Sequence, residues 1–163
     1  MRMTATVMAL VFAAGIACAA QFPKAEDAVA EFQKSAAKVT QEQKGETTYY
    51  VARDAKGAVT KVAYLKNAKG YKGRFSIFAI VVKNGTGLAF ESVRLVEGKD
   101  KYKEVTKGHE VAFMQQFAGK AADKDSKQMK LDSMTSATQT ARTIMRALDQ
   151  ERENLLALFG LKK

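Results

Sequence analysis

The 163-residue chain carries 27 Lys and Arg against 17 Asp and Glu, a formal charge of +10, with 47% apolar and 27% charged residues. That size and balance fit one folded domain and argue against a disordered tail. One Cys and one His exclude a disulfide scaffold, a Cys-rich zinc or iron–sulfur site, haem attachment and a multi-histidine metal site. Chemistry in this chain falls to carboxylates, hydroxyls or an organic cofactor.

Residues 1–20 combine one positive charge (Arg2), no acid, an apolar stretch from Val7 to Ala14, and small residues at Cys18 and Ala20. This is the layout of a signal peptide cut before Gln21. The apolar run is shorter than the roughly 20 residues of a membrane span, so cleavage is favoured over a retained anchor. Gly15 stands where a lipoprotein leader usually has Leu, which disfavours lipidation at Cys18. The chain is therefore expected to be exported, to a periplasmic or other extracytoplasmic place, free or membrane-associated. The Lys residues are spread along the sequence rather than gathered in one run. With export, that argues against nucleic acid and for a solubilising basic surface suited to acidic partners or anionic membrane surfaces.

Residues 21–46 read as an N-terminal helix and linker. Pro23 suits a first turn, and Ala25, Ala28, Val29, Phe32, Ala36 and Val39 recur at helical spacing. Strand signals follow at residues 47–53, 58–65, 74–82 and 88–96, with turns at residues 54–57, 67–70 and 83–87. In the last strand Leu88, Phe90, Ser92, Arg94 and Val96 alternate with Ala89, Glu91, Val93 and Leu95. Short loops make these an antiparallel meander. A short amphipathic helix is expected from Gly108 to Gly119, then a charged loop over residues 120–130. A long amphipathic helix is expected from about Thr138, carrying Ala141, Ile144, Met145, Leu148, Leu155 and Phe159, and ending at Gly160. The class is α+β: a β-sheet meander flanked by an N-terminal, a short central and a long C-terminal helix.

Hydroxyls and a carboxylate crowd the start of that last helix, in Asp132-Ser133-Met134-Thr135-Ser136-Ala137-Thr138. A helix start exposes unpaired N–H groups and partial positive charge, a ready phosphate site. Lys127, Lys130 and Arg142 lie near in sequence. Ser, Thr and Asp are also the commonest helix caps, so local composition alone favours an ordinary capped helix over a phosphate site.

The seven residues resemble the flavinylation motif of FMN-binding domains. Such domains occur in the C subunit of the sodium-translocating NADH:quinone reductase and the G subunit of Rnf-type electron transport complexes. The family pattern is Asp, two free positions, Ser or Thr, usually Gly, then Ala-Thr. Asp132, Thr135, Ala137 and Thr138 fit, and Ser136 replaces the usual Gly. Gly70-Tyr71-Lys72-Gly73 resembles the family's GYxG, and residues 84–93 the turn and strand after it. Residues 113–120 (FMQQFAGK) resemble the helix before the motif loop. More loosely, Glu104-Val105-Thr106-Lys107-Gly108 resembles a Glu-Thr-x-Gly segment near the flavin, with one extra residue between Glu104 and Thr106.

The resemblance implies that residues 47–163 form an FMN-binding domain in which Thr138 carries FMN through a phosphoester. Asp132, Thr135, Ser136, Ala137, Glu104 and Thr106 would line the cofactor site. It implies maturation by a Mg-dependent flavin transferase of the ApbE type and an electron-carrier role toward a redox partner protein, with no catalytic or metal-ligating residue of its own. Two other classes stand behind it. One is a secreted basic binding module that keeps the fold without flavin, a reading that Ser136 supports. The other is an enzyme reducing a small substrate at noncovalent FMN, for which no NAD(P)H fingerprint is present. His109 lacks a partner at any familiar catalytic spacing. Met114, Met134 and Met145 read as packing residues, and Tyr49, Tyr50 and Tyr71 as half-buried strand tyrosines able to stack on a flavin.

Overall fold

The computed structural model describes residues 23–70, 73–98, 109–132 and 138–161. The leader over residues 1–20, Tyr71 and Lys72, the Glu104–Thr106 segment, and Met134, Thr135, Ser136 and Ala137 lie outside them.

Five strands form one antiparallel sheet in sequence order: β1 (Val39–Lys44), β2 (Thr47–Arg53), β3 (Val59–Gly70), β4 (Gly73–Asn84) and β5 (Gly87–Gly98). Three helices, α1 (Ala25–Lys34), α2 (His109–Gln115) and α3 (Thr138–Leu158), flank it. The α+β meander with three helices is the architecture that the sequence predicts.

The first helix is shorter than its apolar spacing suggests. It ends at Lys34, and Ser35 closes it by donating its N–H to the Glu31 and Phe32 carbonyls and its hydroxyl to Phe32 O at 2.7 Å. Val39, counted to the helix by spacing, instead opens β1, which pairs with β2 from Val39↔Ala52 to Lys44↔Thr47. Gly45 turns the chain between them at φ 59°. An edge strand meets one neighbour only, so its outward residues stay polar and the hydrophobic signal is weak. The residues expected to turn at 67–70 also belong to a strand. The β3/β4 ladder runs on through Asn67↔Ser76 and Lys69↔Arg74 to Gly70↔Gly73. The polar residues there mark the edge of the core, and the ladder outlasts it.

The sheet buries both faces. Tyr49, Val51, Val62, Tyr64, Ile77, Ala79, Val81, Leu88, Phe90, Val93 and Leu95 face α2 and α3. Ala52, Ala63, Phe78 and Val96 face Ala25, Ala28 and Phe32 of α1. The clean alternation read in residues 88–96 breaks midway. Ile80 pairs with Ser92 but Val81 with Phe90, so Glu91 is an inserted residue. This β-bulge puts Leu88 and Phe90 on the same face as Val93 and Leu95. A second bulge places Glu97 between the partners of Phe75 and Ser76. Glu97 adopts φ 50°, the sole positive φ among described non-glycine residues. Its N–H donates to Pro23 O at 3.1 Å, and its carboxylate accepts the Ala25 N–H at 3.3 Å. Lys24 supplies no side-chain cap to α1, so an acid from β5 sits at the positive end of that helix.

Candidate functional site

The site is built on the start of α3 and the segment leading to it. Phe113 and Met114 bury their side chains beneath α2, and Phe117 follows in the turn after it. The rings of Phe113 and Phe117 meet edge to face at 5.5 Å, and Phe117 meets Phe90 at 5.9 Å. Val111 of α2 is exposed. Backbone bonds then stitch the turn to β5. Gly119 N–H donates to Phe90 O at 2.8 Å, Phe90 N–H to Lys120 O at 2.9 Å, and Ala122 N–H to Leu88 O at 2.8 Å. Gly119 supports this turn at φ 77°, a conformation with no steric cost for glycine.

The charged loop expected over residues 120–130 is thus partly tied down. Asp125 caps a single 3₁₀ turn, Ser126–Gln128, by accepting the Lys127 N–H. Asp149 of α3 accepts the Ser126 N–H at 2.8 Å and its hydroxyl at 2.6 Å. Asp132, the first motif residue, is exposed. Its N–H donates to Gln116 Oε1 at 2.6 Å, and Gln116 Nε2 reaches the Asp132 carbonyl at 3.5 Å. Thr138, the last motif residue, is the first residue of the 21-residue α3.

Past Thr138, α3 carries Arg142 and Arg146 at successive i, i+4 positions, on one side of the helix. Both are exposed, and neither makes an ion pair among the described residues. They line a groove of about 500 Å³ with Gln139 and Thr143. A second, of about 460 Å³, adds Asp125, Ser126, Lys127, Met145 and Asp149. Of the sequence-predicted set, Asp132 and Thr138 sit at the two described ends of the motif loop. Thr138 opens the long α3, and Arg142 and Arg146 lie about one and two turns farther along it. No cluster of three or more His, Cys, Asp or Glu suited to a metal ion occurs among the described residues.

A second polar centre lies within the core and was missed in sequence. Glu151 is 2% exposed. It takes a hydrogen bond from Thr47 Oγ1 at 2.9 Å, another from the Tyr49 hydroxyl, and an ion pair from Lys66 Nζ at 2.8 Å. Asn154 Nδ2 donates to the Tyr49 oxygen at 3.0 Å. Burial pushes the Glu151 carboxyl up. The hydrogen bonds from Lys66, Tyr49 and Thr47 outweigh it and hold the group below its ordinary range. Burial first, and then the Glu151 charge, raises Tyr49 and Tyr64. Tyr49 is thus a fully buried structural residue rather than a half-exposed ring. The available signal was Glu151's place in the stripe Ile144, Leu148, Leu155. Met114 packs in the core, and Met145 packs against it.

No protein-family model matches the chain, and no curated protein matches it.

Proposed function

We propose that this protein is an exported flavoprotein electron carrier whose FMN is joined by a phosphoester to Thr138. The observation that carries the reading is the position of Thr138, the last residue of a flavinylation-like motif and the first of α3. Arg142 follows one helical turn later without an ion partner among the described residues. Helix amides and guanidinium groups suit a phosphoester there. Bound FMN supplies one- and two-electron redox chemistry, and the protein orients and tunes it. A Thr hydroxyl is a weak nucleophile without a base, so attachment belongs to a separate Mg-dependent flavin transferase of the ApbE type. Export is supported by the leader-like residues 1–20. No helix of the described residues is long and apolar enough to cross a membrane. Covalent attachment suits an exported carrier, from which a loosely held flavin would be lost. A redox partner protein, soluble or membrane-bound, completes the role.

The test is intact mass after co-expression with a flavin transferase, with peptide mapping. An added FMN less water on the peptide containing Thr138 supports the carrier. An unmodified, colourless chain, beside a known acceptor that is modified, supports the basic binding module, and Ser136→Gly becomes the next variant.

A further inference from the structure

We propose that the groove between α3 and the 3₁₀ turn Ser126–Gln128 docks a carboxylate-rich segment of a partner protein. The groove encloses about 460 Å³. Lys127, Arg142 and Arg146 line it, together with Met145, which is half-buried against the core. Each of the three cations is exposed and makes no ion pair among the described residues. Elsewhere on the surface Arg53 holds Glu42 at 3.4 Å, Lys61 holds Glu91 at 2.6 Å and Arg94 holds Glu31 at 2.8 Å. Like charges at i, i+4 on a helix repel, so Arg142 and Arg146 oppose each other unless an anion lies between them.

Two acids also line the groove, and the chain has already engaged them. Asp149 stands at i+3 from Arg146, a spacing at which the two could pair. Its oxygens instead accept the Ser126 N–H at 2.8 Å and the Ser126 hydroxyl at 2.6 Å, and Ser126 is buried. Asp125 accepts the Lys127 N–H at 2.9 Å. The acids thus build the wall and leave the cations to solvent. Arginine forks take carboxylates through paired hydrogen bonds, and two forks one helical turn apart suit carboxylates about 5–6 Å apart. Two observations favour a protein segment over an anionic membrane. The cations edge a concavity rather than a flat face, and Asp125 and Asp149 within it repel a continuous layer of negative charge. The groove stands whether or not Thr138 carries flavin.

The test mixes the full chain, unflavinylated, with a fluorescein-labelled octaglutamate peptide and follows anisotropy. Saturable binding is expected at about 20 mM salt, where screening is weak, with affinity falling as salt rises. Lys127→Gln/Arg146→Gln should weaken binding by about three- to tenfold, the scale of two exposed ion pairs. Arg142 is left in place because the flavin reading also uses it. Lys34→Gln/Lys56→Gln removes two exposed charges that likewise lack ion pairs among the described residues. That control should stay within about twofold of wild type. All four side chains are exposed, so folding is retained, which thermal melts check. Absence of saturable binding overturns the proposal. Equal affinity in the two double variants overturns it as well, because attraction is then diffuse and set by the net charge of +10. Phosphatidylglycerol vesicles bound through Lys127 and Arg146, with the peptide left free, overturn it in favour of a membrane surface.

Discussion

Glu151 of α3 and Tyr49 of β2 share a hydrogen bond inside the core, bridging residues 102 positions apart in sequence. The same carboxylate also holds Thr47 and Lys66. Removing it strands a largely buried ammonium and two hydroxyls. Breaking a buried pair from one side costs about 3–5 kcal/mol. Glu151→Ala should therefore lower unfolding free energy by that amount in urea titration. A loss below about 1 kcal/mol would show that the network contributes little.

The two tyrosines beside that carboxylate should respond in opposite ways. Their rings lie 5.9 Å apart. The Tyr64 hydroxyl is buried with no hydrogen-bond partner among the described residues, whereas Tyr49 binds Glu151 and Asn154. An unsatisfied buried hydroxyl carries a penalty of about 1–3 kcal/mol. Tyr64→Phe should be neutral or stabilising by about 1 kcal/mol, and Tyr49→Phe destabilising by about 1–3 kcal/mol. Chemical denaturation of both variants side by side decides this, and the reverse order would reject the assignment.

The same groups set the pH response. Glu151 lies below its ordinary 4.5 when folded. Its stabilisation is present above that value and is lost as pH falls through the folded pKa. Tyr49 and Tyr64 lie above their ordinary 10.0. Their contribution is present below 10.0 and is lost as pH rises toward the folded values. Urea midpoints of wild type should fall on both sides. Glu151→Gln should flatten the acid limb and Tyr64→Phe the alkaline one.

At the proposed attachment site, Thr138→Ala should abolish covalent flavin, and Thr138→Ser should retain it. A yellow Thr138→Ala protein with FMN on the same peptide refutes the assignment. Arg142→Ala should slow transfer by about two- to fivefold, as expected of one exposed charge near a helix start. Timed mass spectra with a limiting amount of transferase measure the effect.

Residues with strong side-chain patterns were legible in sequence. The β-branched and aromatic runs of β2 and β4 and the apolar stripe of α3 announced their elements. What escaped depends on partners distant in the chain. Val39 looks helical by spacing until β2 is placed beside it. Glu91 looks like a member of an alternating strand until Ile80 and Val81 are seen to pair on either side of it. Gln116 is one of two adjacent glutamines, and nothing local shows that it meets Asp132. The motif was readable because its residues are contiguous. The bond to its first residue was not, because Gln116 stands sixteen positions away.

The hydrogen bond between Tyr49 and Glu151 also constrains the order of assembly. Neighbouring strands pair through short hairpins, so the sheet can grow as the chain is made. Its main apolar face, however, waits for a helix that lies wholly in the last quarter of the sequence. Until α3 arrives, Tyr49, Tyr64 and Ile77 have little to cover them, and the strands are held by hairpin pairing alone. A polypeptide that closes its core this late leaves one face of its sheet uncovered for most of its synthesis.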